Sequence, residues 1–417
     1  MMNRNSDPAQ PGAKAPGFTE FVAIIALMMG LTAFSIDNLL PAFEPIHRHF
    51  AVQNANDLQL IISAYLIGFA VMQIVFGTLS DVFGRKAMLM VGLVIYAAGC
   101  VLAMTAESFD TLLFARAIQG MGCAAARVLS VAIVRDRFQG RDMARVMSFA
   151  MMVFLVVPIV APAIGGAILL LGDWHLIFAA MLLLSLVLAI WFGVRMPETL
   201  HPNYRVPLSL RMIMAGLKLT VTNRRTFGYA NAMGLMLGSL MGYVGSSQQI
   251  FETDVYQLGR LFPIAFGAIA GVMSVASFIN ARLVNRLGMR RLSHFGLCGF
   301  TLLGLLQVAA ALAFDGRPPV IAFCVLVGLS QALFALTVPN FNSIAMEPLG
   351  AVAGTASSFL GFYTTLMGAL LGMVVGRAFD GTVLPLGLGY FLLGAAAMVA
   401  VLWAEHWRLF GSSSQGQ

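Results

Sequence analysis

The chain has 417 residues, of which 59% are apolar and only 10% charged, with a net charge of +7 and a mean hydropathy of +0.86. Soluble domains carry about 25% charged residues, so this composition excludes a soluble fold and defines a chain whose solvent is lipid. The apolar runs are continuous and not alternating, which excludes a β-barrel. The sequence has no Gly-x-x-x-x-Gly-Lys-Ser/Thr loop to hold ATP.

In chain order, residues 1–17 are polar, hold Arg4 and Lys14 among Pro and Gly, and are expected to be a disordered cytoplasmic tail, not a cleaved signal peptide. Apolar runs then predict helices over 18–43, 57–80, 86–106, 109–134, 143–171, 174–195, 226–250, 261–284, 291–314, 318–338, 350–376 and 384–407. Each can cross about 30 Å of hydrocarbon at about 1.5 Å per residue. The expected fold is an all-α integral membrane protein of twelve transmembrane helices, with both termini cytoplasmic.

Connections on that side hold Arg85, Lys86, Arg135, Arg137, Arg141, Arg145, Arg195, Arg205, Arg211, Lys218, Arg224, Arg225, Arg282, Arg286, Arg290 and Arg291. The opposite connections hold only Arg48, Arg260, Arg317 and Arg377. Such a bias orients a membrane chain, so the basic balance calls for no nucleic acid or other acidic partner. The expected partners are the lipid bilayer, protons and a small-molecule substrate, with the protein acting as a monomer.

The connection 196–225 carries Pro197, Pro202 and Pro207 and divides the chain into a first bundle, 18–195, and a second, 226–407, followed by a tail at 408–417. Within it Leu208 to Thr222 has apolar residues at helical spacing beside Arg211 and Lys218, which predicts an amphipathic helix lying on the membrane. The halves also match locally. Gly77-Thr-Leu-Ser-Asp-Val-Phe-Gly-Arg-Lys86 is echoed by Ala281-Arg-Leu-Val-Asn-Arg-Leu-Gly-Met-Arg290, which predicts two pseudo-symmetric six-helix bundles.

Three charged residues lie deep inside spans, away from their ends. Asp37 and Arg116 each lie roughly 10 Å below the outer surface, where a charge costs about 2.5–3.5 kcal/mol and faces the bundle interior with a partner. They can pair with each other. A permanent salt bridge is one reading, but a buried pair is a costly way to hold helices together, so Asp37 is expected to trade Arg116 for a proton. Arg127 follows Arg116 by eleven residues, which returns it to nearly the same helix face about 16 Å further in. It either lines the cavity or snorkels to the inner surface. Further along, Pro158 and Pro162 remove helix hydrogen bonds while Gly165 and Gly166 permit close approach, so the fifth span can kink and slide.

Gly77-Thr-Leu-Ser-Asp-Val-Phe-Gly-Arg-Lys86 after the second of twelve spans resembles the signature of the major facilitator superfamily. Ser35-Ile-Asp-Asn-Leu-Leu-Pro-Ala-Phe43, Arg116-Ala-Ile-Gln-Gly-Met-Gly122 and Ala161-Pro-Ala-Ile-Gly-Gly166 are similar to the drug/proton antiporters. Arg145-Val-Met-Ser-Phe149 and Ala353-Gly-Thr-Ala-Ser-Ser358 resemble the bicyclomycin- and chloramphenicol-resistance branch. The resemblance implies that Pro162 to Gly166 serves export. It also implies that Gly77, Asp81, Gly84, Arg85 and Lys86, with Arg135 and Asp136 near them, brace the halves on the cytoplasmic side. Asn285 and Met289 stand where the second copy would have Asp81 and Arg85, so the brace should be asymmetric.

Substrate contacts are expected among Met28, Tyr65, Gln119, Arg127, Met151, Gln248, Phe334 and Tyr363, which sit near span middles or polar breaks. Cys100, Cys123, Cys298 and Cys324 lie in apolar runs without metal spacing, and no cofactor is expected beyond a proton gradient. The expected protein is therefore not an enzyme. It is a proton-coupled multidrug efflux transporter of the inner (cell) membrane that exports small apolar or amphipathic compounds by alternating access. The alternative is a proton-coupled nutrient or metabolite symporter of the same fold.

Overall fold

The computed structural model describes residues 16–201 and 210–410. The predicted tail over 1–15, Pro202, Arg205 and Pro207 of the connection, and residues 411–417 lie outside the described residues. Among the described residues there is no strand.

The first half comprises α1 (Phe18–Asp37), the short α2 (Phe43–Phe50), α3 (Leu60–Phe83), α4 (Arg85–Met104), α5 (Phe109–Arg137), α6 (Gly140–Leu169) and α7 (His175–Arg195). The second comprises α9 (Arg224–Gln248), α10 (Phe262–Leu287), α11 (Met289–Ala313), α12 (Val320–Met346), α13 (Ala353–Arg377) and α14 (Leu384–Ala404). Between them α8 (Leu210–Thr222) packs against α9 and α13 with Met214, Lys218, Leu219 and Val221 exposed, at the place predicted for the amphipathic helix.

Among the described residues eleven helices are long and apolar enough to cross a membrane. The predicted seventh span, α9, is the exception. It spends its length on Gly, Ser, Asn and Gln, and Gly234, Ser239, Gly242, Ser246 and Gln248 are all buried against protein. Its neighbours α13 and α14 enclose it, so it does not need a lipid-facing surface.

Two predicted boundaries move by six residues or more. α1 stops at Asp37, six residues before the predicted end at Phe43, and the chain passes through a turn and a 3-10 segment at Leu40–Ala42, where Pro41 has no N–H to give. α12 runs through Pro339 to Met346, although the apolar pattern predicted an end at residue 338. There the side-chain amide of Asn340 donates to the Leu336 carbonyl over 2.7 Å and to Asn280 Oδ1 of α10 over 2.8 Å, so the turn at the proline stays tied.

The halves meet along two seams, α3 against α13 and α6 against α10. α5 lies between the seam helices α3 and α6, and 67% of its most apolar window is enclosed by protein, against 33% for the peripheral α7. The face carrying Gly84, Arg85, Glu198 and Glu405 is called the basic face below, and the opposite one the far face.

Candidate transport site

Arg116 is fully buried on α5. Its guanidinium donates to the Ser35 carbonyl over 3.0 Å, to the Ile61 carbonyl over 3.4 Å and to Gln119 Oε1, and lies 4.5 Å from the Tyr65 ring centroid. Gly120 lets α3 come this close, because a Cβ there would overlap the Tyr65 carbonyl. Gln119 in turn donates to Cys100 Sγ and Met181 Sδ, and Ser35 Oγ is bonded to the Tyr96 hydroxyl at 2.6 Å.

The expected Asp37–Arg116 pair is therefore not formed. Ser35 faces Arg116, and Asp37, two positions further, is roughly 200° round the helix. The Asp37 carboxylate is only 5% exposed, and among the described residues it has no hydrogen bond or ion pair. The Tyr243 hydroxyl of α9, itself buried without a hydrogen-bond partner, lies within electrostatic range of it. Asp37 thus faces the second half, not the arginine of its own half.

The proline-glycine segment of α6 meets this place. A Cβ on Gly165 would overlap the carbonyl of Asn38, next to Asp37, whereas Gly166 has open space around it. Pro158 and Pro162 lie inside α6, which remains helical to Leu169. The segment thus brings the seam helix α6 against the end of α1, beside the lone carboxylate.

On the basic face Gly84 adopts a φ of 99°, ending α3 and starting α4 in one residue. Arg85 donates to Asp81 Oδ1 and Ser80 Oγ over 2.6 Å each and to Asp136 Oδ2 over 3.0 Å. Lys86 Nζ caps the carbonyls of Gly193 and Met196 at 2.7 Å. Arg135 is exposed and takes no part. Glu198, which the sequence reading missed, accepts the backbone N–H groups of Arg85 and Lys86 over 2.9 and 3.1 Å. An acidic residue just after the sixth span, facing a helix N-terminus, was the available signal.

Gly77 abuts Ser358 of α13. The second copy builds a different cluster: Arg290, one residue after Met289, lies 3.4 Å from Glu347 and 3.7 Å from Glu405, with Arg225 at 3.9 Å from each. Asn285 only bonds back to the Ala281 carbonyl, so the expected asymmetry is present, with an arginine cluster of its own.

Polar bonds between the halves fall elsewhere. On the far face Arg377 reaches Asp57 over 2.6 Å, and Asn56 Nδ2 donates to the carbonyls of Arg377 and Phe379. Gln59 donates to the Gly376 carbonyl over 2.8 Å and to Gln249 Oε1 over 3.2 Å. Midway, Gln73 donates to Thr365 Oγ1 over 3.1 Å. Among the described residues no ion pair crosses between halves on the basic face, where each cluster stays within its own half.

Of the residues expected to touch substrate, Met28, Tyr65 and Gln119 are fully buried, and Gln248 and Phe334 are 2% and 6% exposed. In this conformation these five pack against protein. Met151, Arg127 and Tyr363 are partly accessible, and the Tyr363 hydroxyl donates to Asn231 Oδ1 of α9 over 2.9 Å.

Two helical bundles thus meet on seams, bonded to each other on one face and, among the described residues, free of cross-half ion pairs on the other. Residues 25–373 match the family description Major Facilitator Superfamily, and the chain belongs to that family. It is a multi-pass membrane transporter and not an enzyme. It is 29% identical over 387 residues to a bicyclomycin resistance protein homolog of Haemophilus influenzae, covering 92% of this chain and 94% of that one. It is 25% identical over 304 residues to the chloramphenicol resistance protein CraA of Acinetobacter baumannii, covering 72% and 70%. The crystal structure of a D-xylose-proton symporter superposes with a TM-score of 0.74 at 16% identity, over 94% of this chain and 98% of that one, a likeness of fold.

Proposed function

We propose that the protein exports small apolar or amphipathic compounds of the bicyclomycin and chloramphenicol kind in exchange for protons, with Asp37 as the proton-carrying group. The basic face is then the cytoplasmic face of the inner membrane, in keeping with the positive-inside rule. On this reading the bonds of Asp57, Gln59 and Arg377 between the halves close the outward side.

The observation that carries this reading is the state of Asp37, which is enclosed between the halves, without a cation, where α6 touches α1. An ionised carboxylate without a partner in such a place is costly, whereas a protonated one is tolerated. Outward closure therefore goes with a proton on Asp37. Opening towards the basic face lets that proton leave as the compound loads, and the reverse swing carries the compound out. The relatives named for resistance to bicyclomycin and chloramphenicol support export over uptake.

The test compares cells with and without the gene. Deletion should raise accumulation of chloramphenicol or ethidium, and a protonophore should raise it to the same level in cells that keep the gene. Loss of nutrient uptake with unchanged drug accumulation would replace the reading with a symporter.

A further inference from the structure

We propose that Arg127 is a binding site for an anionic group on the transported compound, so that the substrate range includes organic anions with an apolar or aromatic body. The inference rests on the efflux reading and extends its substrate class.

Arg127 is on α5, between the seam helices α3 and α6, ten residues and roughly 15 Å from the basic end of that helix. Its guanidinium lies over the Phe154 ring of α6 at 5.1 Å, with Met151 one turn before on the same face. Nη1 is shut off from solvent and has no hydrogen-bond partner, which argues against snorkelling to water. Among the described residues no ion pair involves Arg127.

Arg116 on the same helix is satisfied by two carbonyls, an amide and an aromatic face. Arg127 has the aromatic face alone.

Among the described residues no acidic side chain of the spans stands at its depth. The segments 25–33, 70–78, 231–240, 268–280, 329–340 and 358–370 hold no Asp or Glu. Asp37 is at the far end of α1, and Glu20, Asp81, Asp136, Glu347 and Glu405 are tied to other arginines on the basic face. An uncompensated guanidinium inside a membrane protein is costly, and a partner brought by the cargo offsets that cost.

A guanidinium stacked on a ring still presents its N–H groups in the plane, the fork that a carboxylate or phosphate oxygen pair fits. On the second half Tyr363 lies at a similar depth, about ten residues from the start of α13, with Phe359 stacked on it at 5.9 Å. A cation in the first half and aromatic rings at a similar depth in the second suit an anion with a flat apolar body.

The experiment uses everted vesicles loaded with the full protein and a pair of xanthene dyes of similar body and opposite charge, carboxyfluorescein and a cationic rhodamine, with chloramphenicol as the neutral compound. Wild type should transport carboxyfluorescein. Arg127→Gln should cut that transport at least about tenfold, a loss at least about fivefold larger than any on rhodamine or chloramphenicol, and Arg127→Lys should restore part of it.

Should Arg127→Gln not fold, anisotropy on detergent-purified wild type replaces it. Carboxyfluorescein should then bind at least about tenfold more tightly than its dimethyl ester, which has the same rings but no carboxylate, and equal affinity would overturn the inference. Transport of rhodamine or chloramphenicol but not carboxyfluorescein, or equal loss of all three in Arg127→Gln, overturns the inference alone. Transport of none by wild type overturns the efflux reading beneath it.

Discussion

The guanidinium of Arg116 donates to the carbonyl of Ser35 over 3.0 Å and leaves the carboxylate of Asp37, two residues on, without a partner. The arginine is therefore a fixed part of the first half, and among the described residues the aspartate has no cation beside it.

The two residues should accordingly separate in a stability assay. Arg116→Gln leaves buried carbonyls of Ser35 and Ile61 without their charged donor, and each such bond is worth about 1.5–3 kcal/mol. Thermal denaturation in detergent should show a clear loss for Arg116→Gln. Asp37→Asn breaks no hydrogen bond or ion pair in this state and should melt much closer to wild type than Arg116→Gln does. Equal losses would mean that the two act as a structural pair after all.

Closure on the far face predicts a population shift. The Arg377–Asp57 bridge joins side chains 48% and 28% exposed, so its loss is worth about 0.2–1 kcal/mol. Asp57→Asn should raise the outward-open fraction by up to about fivefold, a change that double electron–electron resonance between spin labels at Gln53 and Thr382 would register as a longer-distance population. An unchanged distance distribution would assign closure to the Gln59 and Asn56 bonds alone.

Much of this was legible in the sequence, and the exceptions have physical causes. The two bundles, the charged turn at Gly84 and the amphipathic α8 follow from apolar runs, a glycine at positive φ and helical spacing. α9 was placed correctly by its run length, although buried glycine and polar side chains make it too polar to pass as a lipid-facing helix.

What sequence could not give was rotation and partner choice. Depth alone put Asp37 beside Arg116, but the two-residue step from Ser35 turns it to the other half. Gln119 read as a cavity residue, yet it is fully buried in holding Arg116. The far-face latch joins residues from opposite halves, such as Asn56 and Phe379, whose proximity no local pattern announces.

The neighbouring glycines of α6 should differ sharply. Gly165→Ala puts a methyl group on the Asn38 carbonyl, and overpacking of this kind costs about 1–3 kcal/mol. Gly166→Ala enters open space and should be close to neutral. Parallel melting curves and efflux rates check this, and similar effects for both would mean that α6 does not depend on its contact with α1.

The carboxylate of Glu198 caps α4 through two backbone N–H groups, and Glu198→Gln keeps the shape while removing the charge. The expected loss is about 1 kcal/mol or less, read as a small drop in melting temperature with substrate affinity unchanged. A large affinity change would make Glu198 part of the transport path.

The most direct measurement takes Asp37→Asn in reconstituted vesicles and compares two modes on one preparation: uphill chloramphenicol movement driven by an imposed pH gradient, and downhill exchange of labelled for unlabelled compound without one. The account predicts that uphill movement falls to background while exchange continues, because the binding and swinging parts are intact and only the proton carrier is gone. Uphill movement at the wild-type rate in Asp37→Asn would contradict it.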